Sequence, residues 1–118
     1  MNIYEEYLQE LEQSLPHISV DELKQWQDDK LDFVLVDVRQ EEEFIQGHIP
    51  GASNIPRPSL EVNIEAQLAN DKQVIVVHCS SRGRSQFVCH SLREMGLDCS
   101  VLIGGYQAWV DSETEAAA

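Results

Sequence analysis

Apolar positions along the chain fall into alternating helix-like and strand-like runs. Tyr4, Tyr7, Leu8, Leu11 and Leu15 recur at helical spacing, with Glu5, Glu6, Glu10 and Glu12 mostly elsewhere on the wheel. This predicts an amphipathic helix over 1–15 that ends at Pro16. "HISV" (17–20) reads as a short strand, and "SVDELKQWQDD" opens a helix with Ser19 or Asp21 as N-cap. "DFVLVDV" (32–38) is a β-branched run suited to a buried strand. "RQEEEFIQG" gives a short helix closed by Gly47, and a short strand follows at Ala52–Ile55. "SLEVNIEAQLA" (59–69) reads as a helix, "QVIVVHC" (73–79) as a strand, and "SQFVCHSLREMG" (85–96) as a helix. "CSVLIGG" is a strand and its exit, "YQAWVDS" a final helical turn, and "ETEAAA" a frayed tail.

Strands therefore alternate with helices across short connections. That pattern predicts an α/β fold with a mainly parallel sheet covered by helices on both faces. Functional loops in such sheets lie at the carboxyl ends of strands. Two loops qualify here, the one after "DFVLVDV" and the one after "QVIVVHC". The 118 residues divide into an N-terminal helical extension (1–15), one domain (16–112) and a flexible tail (113–118).

Composition narrows the function. Eight basic residues face 21 acidic ones, a formal charge of −13, which argues against nucleic acid or an anionic membrane as partner. Arg82, Arg84 and Arg93 nevertheless lie close together, with no acidic residue between Lys72 and Glu94. A positive island of this kind would concentrate a small anion. No apolar run is long enough for a membrane span, and the charged N-terminus lacks the core of a signal peptide. Three cysteines, an odd number, fit a reducing compartment, and the expected location is the cytoplasm. The Cys and His residues lack paired ligand spacing, so no metal is expected.

The chemistry concentrates in "HCSSRGRS". Cys79 ends a buried strand and Ser85 begins a helix, so the chain must turn sharply between them. Gly83 is expected to take positive φ there. Converging amides and the following helix N-terminus would make an anion site with Cys79 at its edge, favouring a thiolate nucleophile. Arg82 and Arg84 would add to it by facing the sulfur. Cys89 shares a helix face with Val88, Leu92 and Met95 and reads as core. Cys99 reads as structural, its rival role being a resolving thiol for Cys79. His78, next to Cys79 on a strand, points to the opposite face and pairs poorly with it. His48 reads as a structural hydrogen-bonding residue.

Two segments together resemble the rhodanese (single-domain sulfurtransferase) family: "LVDVRQEEEFIQGHIPGASNIP" (35–56) and "VIVVHCSSRGRSQFVCHSLREMGLDCSVLIGGYQAWV" (74–110). The resemblance implies a five-stranded, mostly parallel sheet between helices. It implies that Cys79 accepts a sulfane sulfur, becomes a persulfide and passes the sulfur on. It makes Ser80, Ser81, Arg82, Gly83, Arg84 and Ser85 the substrate-binding loop, with Asp37 and Arg39 as organisers. Trp109 and Gly104–Gly105 match a packing signature. The implied partners are a small anionic sulfur donor such as thiosulfate and a thiol, cyanide or protein acceptor. No cofactor is called for, and a monomer suffices. The family loop usually reads Cys-x-x-Gly-x-Arg-Ser, whereas here glycine comes one position later. Arg82 then takes the conformation usually given to glycine, or the turn differs. The alternatives are a non-catalytic partner-binding module and a phosphatase or arsenate reductase. A tyrosine-phosphatase loop needs five residues between Cys and Arg, and four separate Cys79 from Arg84.

Overall fold

A computed structural model describes residues 2–117, so Met1 and Ala118, at the outer ends of the extension and the tail, lie outside the described residues. Strands β1 (His17–Ile18), β2 (Phe33–Asp37), β3 (Ser53–Asn54), β4 (Val74–His78) and β5 (Cys99–Leu102) form one sheet in the order β1-β5-β4-β2-β3. Every pairing is parallel. Among the described residues six α-helices accompany it: α1 (Ile3–Ser14), α2 (Val20–Asp28), α3 (Glu41–Gln46), α4 (Leu60–Asn63), α5 (Gly83–Glu94) and α6 (Gly105–Ala117).

The sheet's alternation builds two cores. Val36, Ile75, Val77 and Val101 point to one face and meet Leu60, Ile64, Val88 and Leu92 of the α4–α5 side. Leu35, Val76 and Leu102 point to the other face and meet Leu23 of α2, Ile49 and Trp109 of α6. β2 and β4 are covered on both faces, which is why they read as continuous apolar runs. α1 lies against α5 with Leu8 and Leu11 buried.

The element boundaries differ from the sequence expectation in instructive ways. β1 stops at Ile18 because Ser19 is the N-cap of α2. Its hydroxyl accepts from Glu22 N–H at 3.1 Å, and the Glu22 carboxylate accepts from Ser19 N–H at 3.1 Å. The single helix expected over 59–69 is instead a four-residue α4 between two 3-10 turns, Arg57–Ser59 and Ile64–Gln67. Pro56 and Pro58 lead in, and Asn63 Nδ2 bonds back to Ser59 O at 2.9 Å, so side chain competes with backbone ladder. The "ETEAAA" tail is not frayed over the described residues, since α6 continues through Ala117. Glu and Ala are strong helix formers, and Glu113 pairs with Lys24 of α2 at 3.1 Å.

The topology fixes where a site can form. From β2 the chain leaves toward β3, and from β4 it leaves toward β5, so the connections diverge between two adjacent strands. That divergence opens a crevice at the strands' carboxyl ends. Asp37 and His78 are register partners at that point, with Cys79 next after His78 and Arg39 two residues after Asp37.

Candidate active site

Cys79 continues the alternation of β4. Its side chain joins Val77 on the α5 face and is only 1% exposed. Its sulfur lies 3.3 Å from Ser85 Oγ in the first turns of α5. The loop's orientation is set from outside: Tyr106 N–H donates to Cys79 O at 2.9 Å, and Gln107 N–H donates to Ser80 O at 3.0 Å. The start of α6 thus takes up the loop carbonyls. Among the described residues, the N–H groups of Ser80, Ser81 and Arg82 donate to no protein acceptor, and Arg82 caps α5 without a side-chain bond. Unpaired amides in the residues after Cys79, followed by the N-terminus of a twelve-residue helix, are groups suited to an anion.

Gly83 does not supply a left-handed turn. Positive φ in this region belongs to Gly104 (+75°) and Gly105 (+58°), while Gly83 is the first residue of α5. Arg82, with φ −137° and ψ −67°, takes no left-handed conformation either, so the turn is built differently from the glycine-led expectation. Smallness is what Gly83 contributes, because a Cβ there would lie 2.5 Å from the Tyr4 hydroxyl.

The expected positive island is dispersed and paired. Arg82 turns to α1, where Nε donates to Glu12 Oε2 at 3.0 Å and Nη1 to Glu5 Oε2 at 3.3 Å. Arg84 donates to Glu43 Oε1 at 2.9 Å and to Ser80 Oγ at 3.0 Å. Arg93 sits at the far end of α5 beside Asp98 (3.8 Å) and Cys99 O. Of the two loop arginines, Arg84 is the one whose charge is favoured by Glu43 first and also by Cys79. The Arg82 and Arg84 hydrogen bonds in turn hold the carboxyls of Glu12 and Glu43 below the usual carboxylate range. The acidic partners come from other elements, which sequence proximity could not reveal. The one signal was spacing, since Glu5 and Glu12 are seven residues apart and share a helix face.

Asp37 and Arg39 form a buried bracket beneath the loop. Asp37 Oδ1 accepts from Arg39 N–H and Nε at 3.0 Å, and Oδ2 accepts from Nη2 at 2.7 Å. Arg39 Nη2 also reaches Gly47 O at 2.7 Å, and its guanidinium lies 4.2 Å from the Tyr106 ring centre. Asn54 donates to the carbonyls of both Asp37 and Arg39. The bracket therefore holds β2, α3, β3 and Tyr106, the residue whose amide fixes Cys79 O. A hollow of about 350 Å³ lined by Arg39, Glu43, Gln46, Gly47 and Tyr106 opens beside it.

His78 is fully buried on the opposite face from Cys79 Sγ, with Nε2 4.0 Å from Asp37 Oδ2 and no hydrogen-bond partner for that nitrogen. Burial, partly offset by Asp37 and the Cys79 carbonyl, holds the ring below its ordinary value of 6.5. The unfolded chain takes up this proton first. Stability is therefore full above pH 6.5 and declines as pH falls below it, until the folded ring also titrates. Urea unfolding at pH 7, 6 and 5 should show a loss that His78→Phe reduces, by at most about 1.4 kcal/mol per pH unit. Equal slopes in both proteins would contradict this.

Cys89 and Cys99 are free thiols with no exposure. Cys89 Sγ donates to Cys99 O at 3.3 Å, and the hydrogen bond with Cys89 together with burial pushes the Cys99 thiol up. His48 bonds Phe44 O at 3.0 Å and stacks on the Phe44 ring. Among the described residues no three His, Cys, Asp or Glu side chains are placed to hold a metal ion, and no helix is long and apolar enough to cross a membrane.

Fold and site together define an α/β protein with a buried cysteine and a loop of unpaired amides at the divergence point of a parallel sheet. A family model for the rhodanese-like domain matches residues 19–112, and the chain belongs to that family. A thiosulfate sulfurtransferase, GlpE, of Shewanella oneidensis is 34% identical over 100 residues, 81% of this chain and 93% of that protein. A putative sulfur carrier protein, YrkF, of Bacillus subtilis is 30% identical over 105 residues, 88% of this chain but only 56% of that longer protein. Among solved structures, a protein of unknown function from Rhodopseudomonas palustris, described as a possible tyrosine phosphatase, superposes with a TM-score of 0.80 at 26% identity. That superposition covers 96% of this chain and 92% of the other.

Proposed function

We propose that the chain is a sulfurtransferase of rhodanese type, carrying sulfur as a persulfide on Cys79. The observation that carries this reading is the loop: the Cys79 sulfur beside Ser85 Oγ, unpaired loop amides and the N-terminus of α5. The sulfurtransferase names among its relatives support it. The Cys79 thiolate attacks the outer sulfur of a donor such as thiosulfate. A new S–S bond forms as the donor's S–S bond breaks, and sulfite leaves with the bonding pair. The loop amides of 80–85 and the Ser85 hydroxyl then stabilise the terminal sulfur anion. An acceptor thiolate, cyanide or a protein cysteine attacks that sulfur, and Cys79 leaves as thiolate. Only groups of one chain and the two substrates enter these steps.

Arg84 has the donor-facing role in this scheme, with Ser80 and Glu43 fixing its guanidinium. Asp37 and Arg39 act as organisers. The division into an extension before residue 16, a domain to 112 and a C-terminal tail is carried forward with it, as is a reducing, cytoplasmic setting for three free thiols.

A phosphatase is the competing outcome, since one structural relative is described that way. Four residues between Cys79 and Arg84 make a ring smaller than tetrahedral phosphate needs, yet suited to one sulfur atom. The test is turnover with thiosulfate and cyanide beside turnover with an aryl phosphate. Thiocyanate formation that disappears in Cys79→Ser is expected. Phosphate release lost in that variant, without thiocyanate, would replace the reading.

A further inference from the structure

We infer that α1 is a clamp on the cysteine loop, with Glu5 and Glu12 as positioning residues that act on Cys79 through Arg82. The activity readout below rests on the sulfurtransferase reading, and the geometry does not. Arg82 is a loop residue with an exposed side chain, yet all three guanidinium nitrogens are engaged: Nε (3.0 Å) and Nη2 by Glu12, and Nη1 (3.3 Å) by Glu5. The planar fork of arginine suits this two-pronged grip. Glu5 and Glu12 lie two turns apart on one face of α1, and the same helix is anchored on α5. Tyr4 and Tyr7 rest on Phe87 with ring centres 5.8 and 5.5 Å away, and Leu8 and Leu11 are buried.

The backbone of Arg82 reaches the sulfur in two steps. Its carbonyl accepts from Ser85 Oγ at 3.3 Å, and that hydroxyl is 3.3 Å from Cys79 Sγ. Ser85 has one hydroxyl proton for two acceptors. With the thiol, the sulfur donates to Ser85 and Ser85 donates to Arg82 O. With the thiolate or persulfide, Ser85 turns its proton to sulfur. The position of the Arg82 carbonyl decides how readily that proton switches, and the carboxylates of α1 hold Arg82. α1 lies outside the residues 19–112 matched to the family, so the clamp draws on a segment beyond that match. An exposed ion pair contributes little to global stability, so its effect falls on loop position.

Donor binding by Arg82 predicts the opposite outcome, which makes the test sharp. Three proteins are compared with the unsubstituted chain: Arg82→Ala, the double variant E5Q/E12Q, and E6Q/E10Q. The last removes the same charge from exposed positions on the same helix. Sulfur loading of Cys79 from saturating thiosulfate should slow about tenfold in the first two, with donor KM unchanged. Combining Arg82→Ala with E5Q/E12Q should add nothing further. Backbone order parameters of Ser80–Gly83 should fall from about 0.85 toward 0.6 in the same two variants and stay high in E6Q/E10Q, with Tm nearly constant throughout. A lower KM or faster loading in E5Q/E12Q would show that the carboxylates merely restrain a donor-binding arginine, and would overturn the clamp. Unchanged loop order would also overturn it. If the unsubstituted chain takes up no sulfur, the sulfurtransferase reading fails, and the order parameters still decide the clamp.

Discussion

Asp37→Ala should destabilise the protein by about 3–5 kcal/mol, because it leaves the Arg39 charge buried without its partner. Both side chains are almost wholly enclosed, with relative exposures of 0% and 5%. The loss would appear as a fall of roughly 10–20 °C in Tm. Activity should fall further than stability explains. Arg39 also holds the Gly47 carbonyl and the Tyr106 ring, and the Tyr106 amide fixes Cys79 O. Replacing both partners by apolar residues, Asp37→Leu with Arg39→Met, removes the stranded charge and should recover much of the stability. It should not recover sulfur loading, because the bracket under Tyr106 stays lost. Thermal unfolding and loading rates on the same samples check both halves. Recovered loading in the double variant would reduce Asp37 and Arg39 to a stability role.

Gly105→Ala should be nearly as severe, at about 2–4 kcal/mol from left-handed strain and overpacking together. Gly105 has φ +58°, and a Cβ there would lie 2.5 Å from Cys79 O and 3.1 Å from Ser81 N. These are backbone atoms of the sulfur loop, so no side chain can swing away. Gly83→Ala meets only the tip of Tyr4, which can rotate outward, and should be much milder. Equal effects of the two substitutions on Tm and loading would contradict this reading of the loop's packing.

Much of this site is legible in the sequence itself. "DFVLVDV" and "QVIVVHC" announce central parallel strands because both faces are buried, and their carboxyl ends carry Asp37, Arg39 and Cys79. The cysteine loop was legible as a tight strand-to-helix turn. The fate of its charges was not. Arg82 and Arg84 stand in a segment free of acids, but their partners arrive from α1 and α3 through tertiary packing. The positive φ expected at Gly83 belongs to Gly105, whose contact with the loop depends on α6 closing over it. The break in 59–69 was hidden because apolar spacing reads helical even where Asn63 diverts the hydrogen bonding.

Intact mass after exposure of the reduced protein to thiosulfate reads whether Cys79 carries sulfur. A gain of one sulfur atom is expected, absent in Cys79→Ser although Cys89 and Cys99 remain, and removed from the unsubstituted protein by cyanide. No adduct from thiosulfate or a persulfide donor, or an adduct that persists in Cys79→Ser, would contradict it.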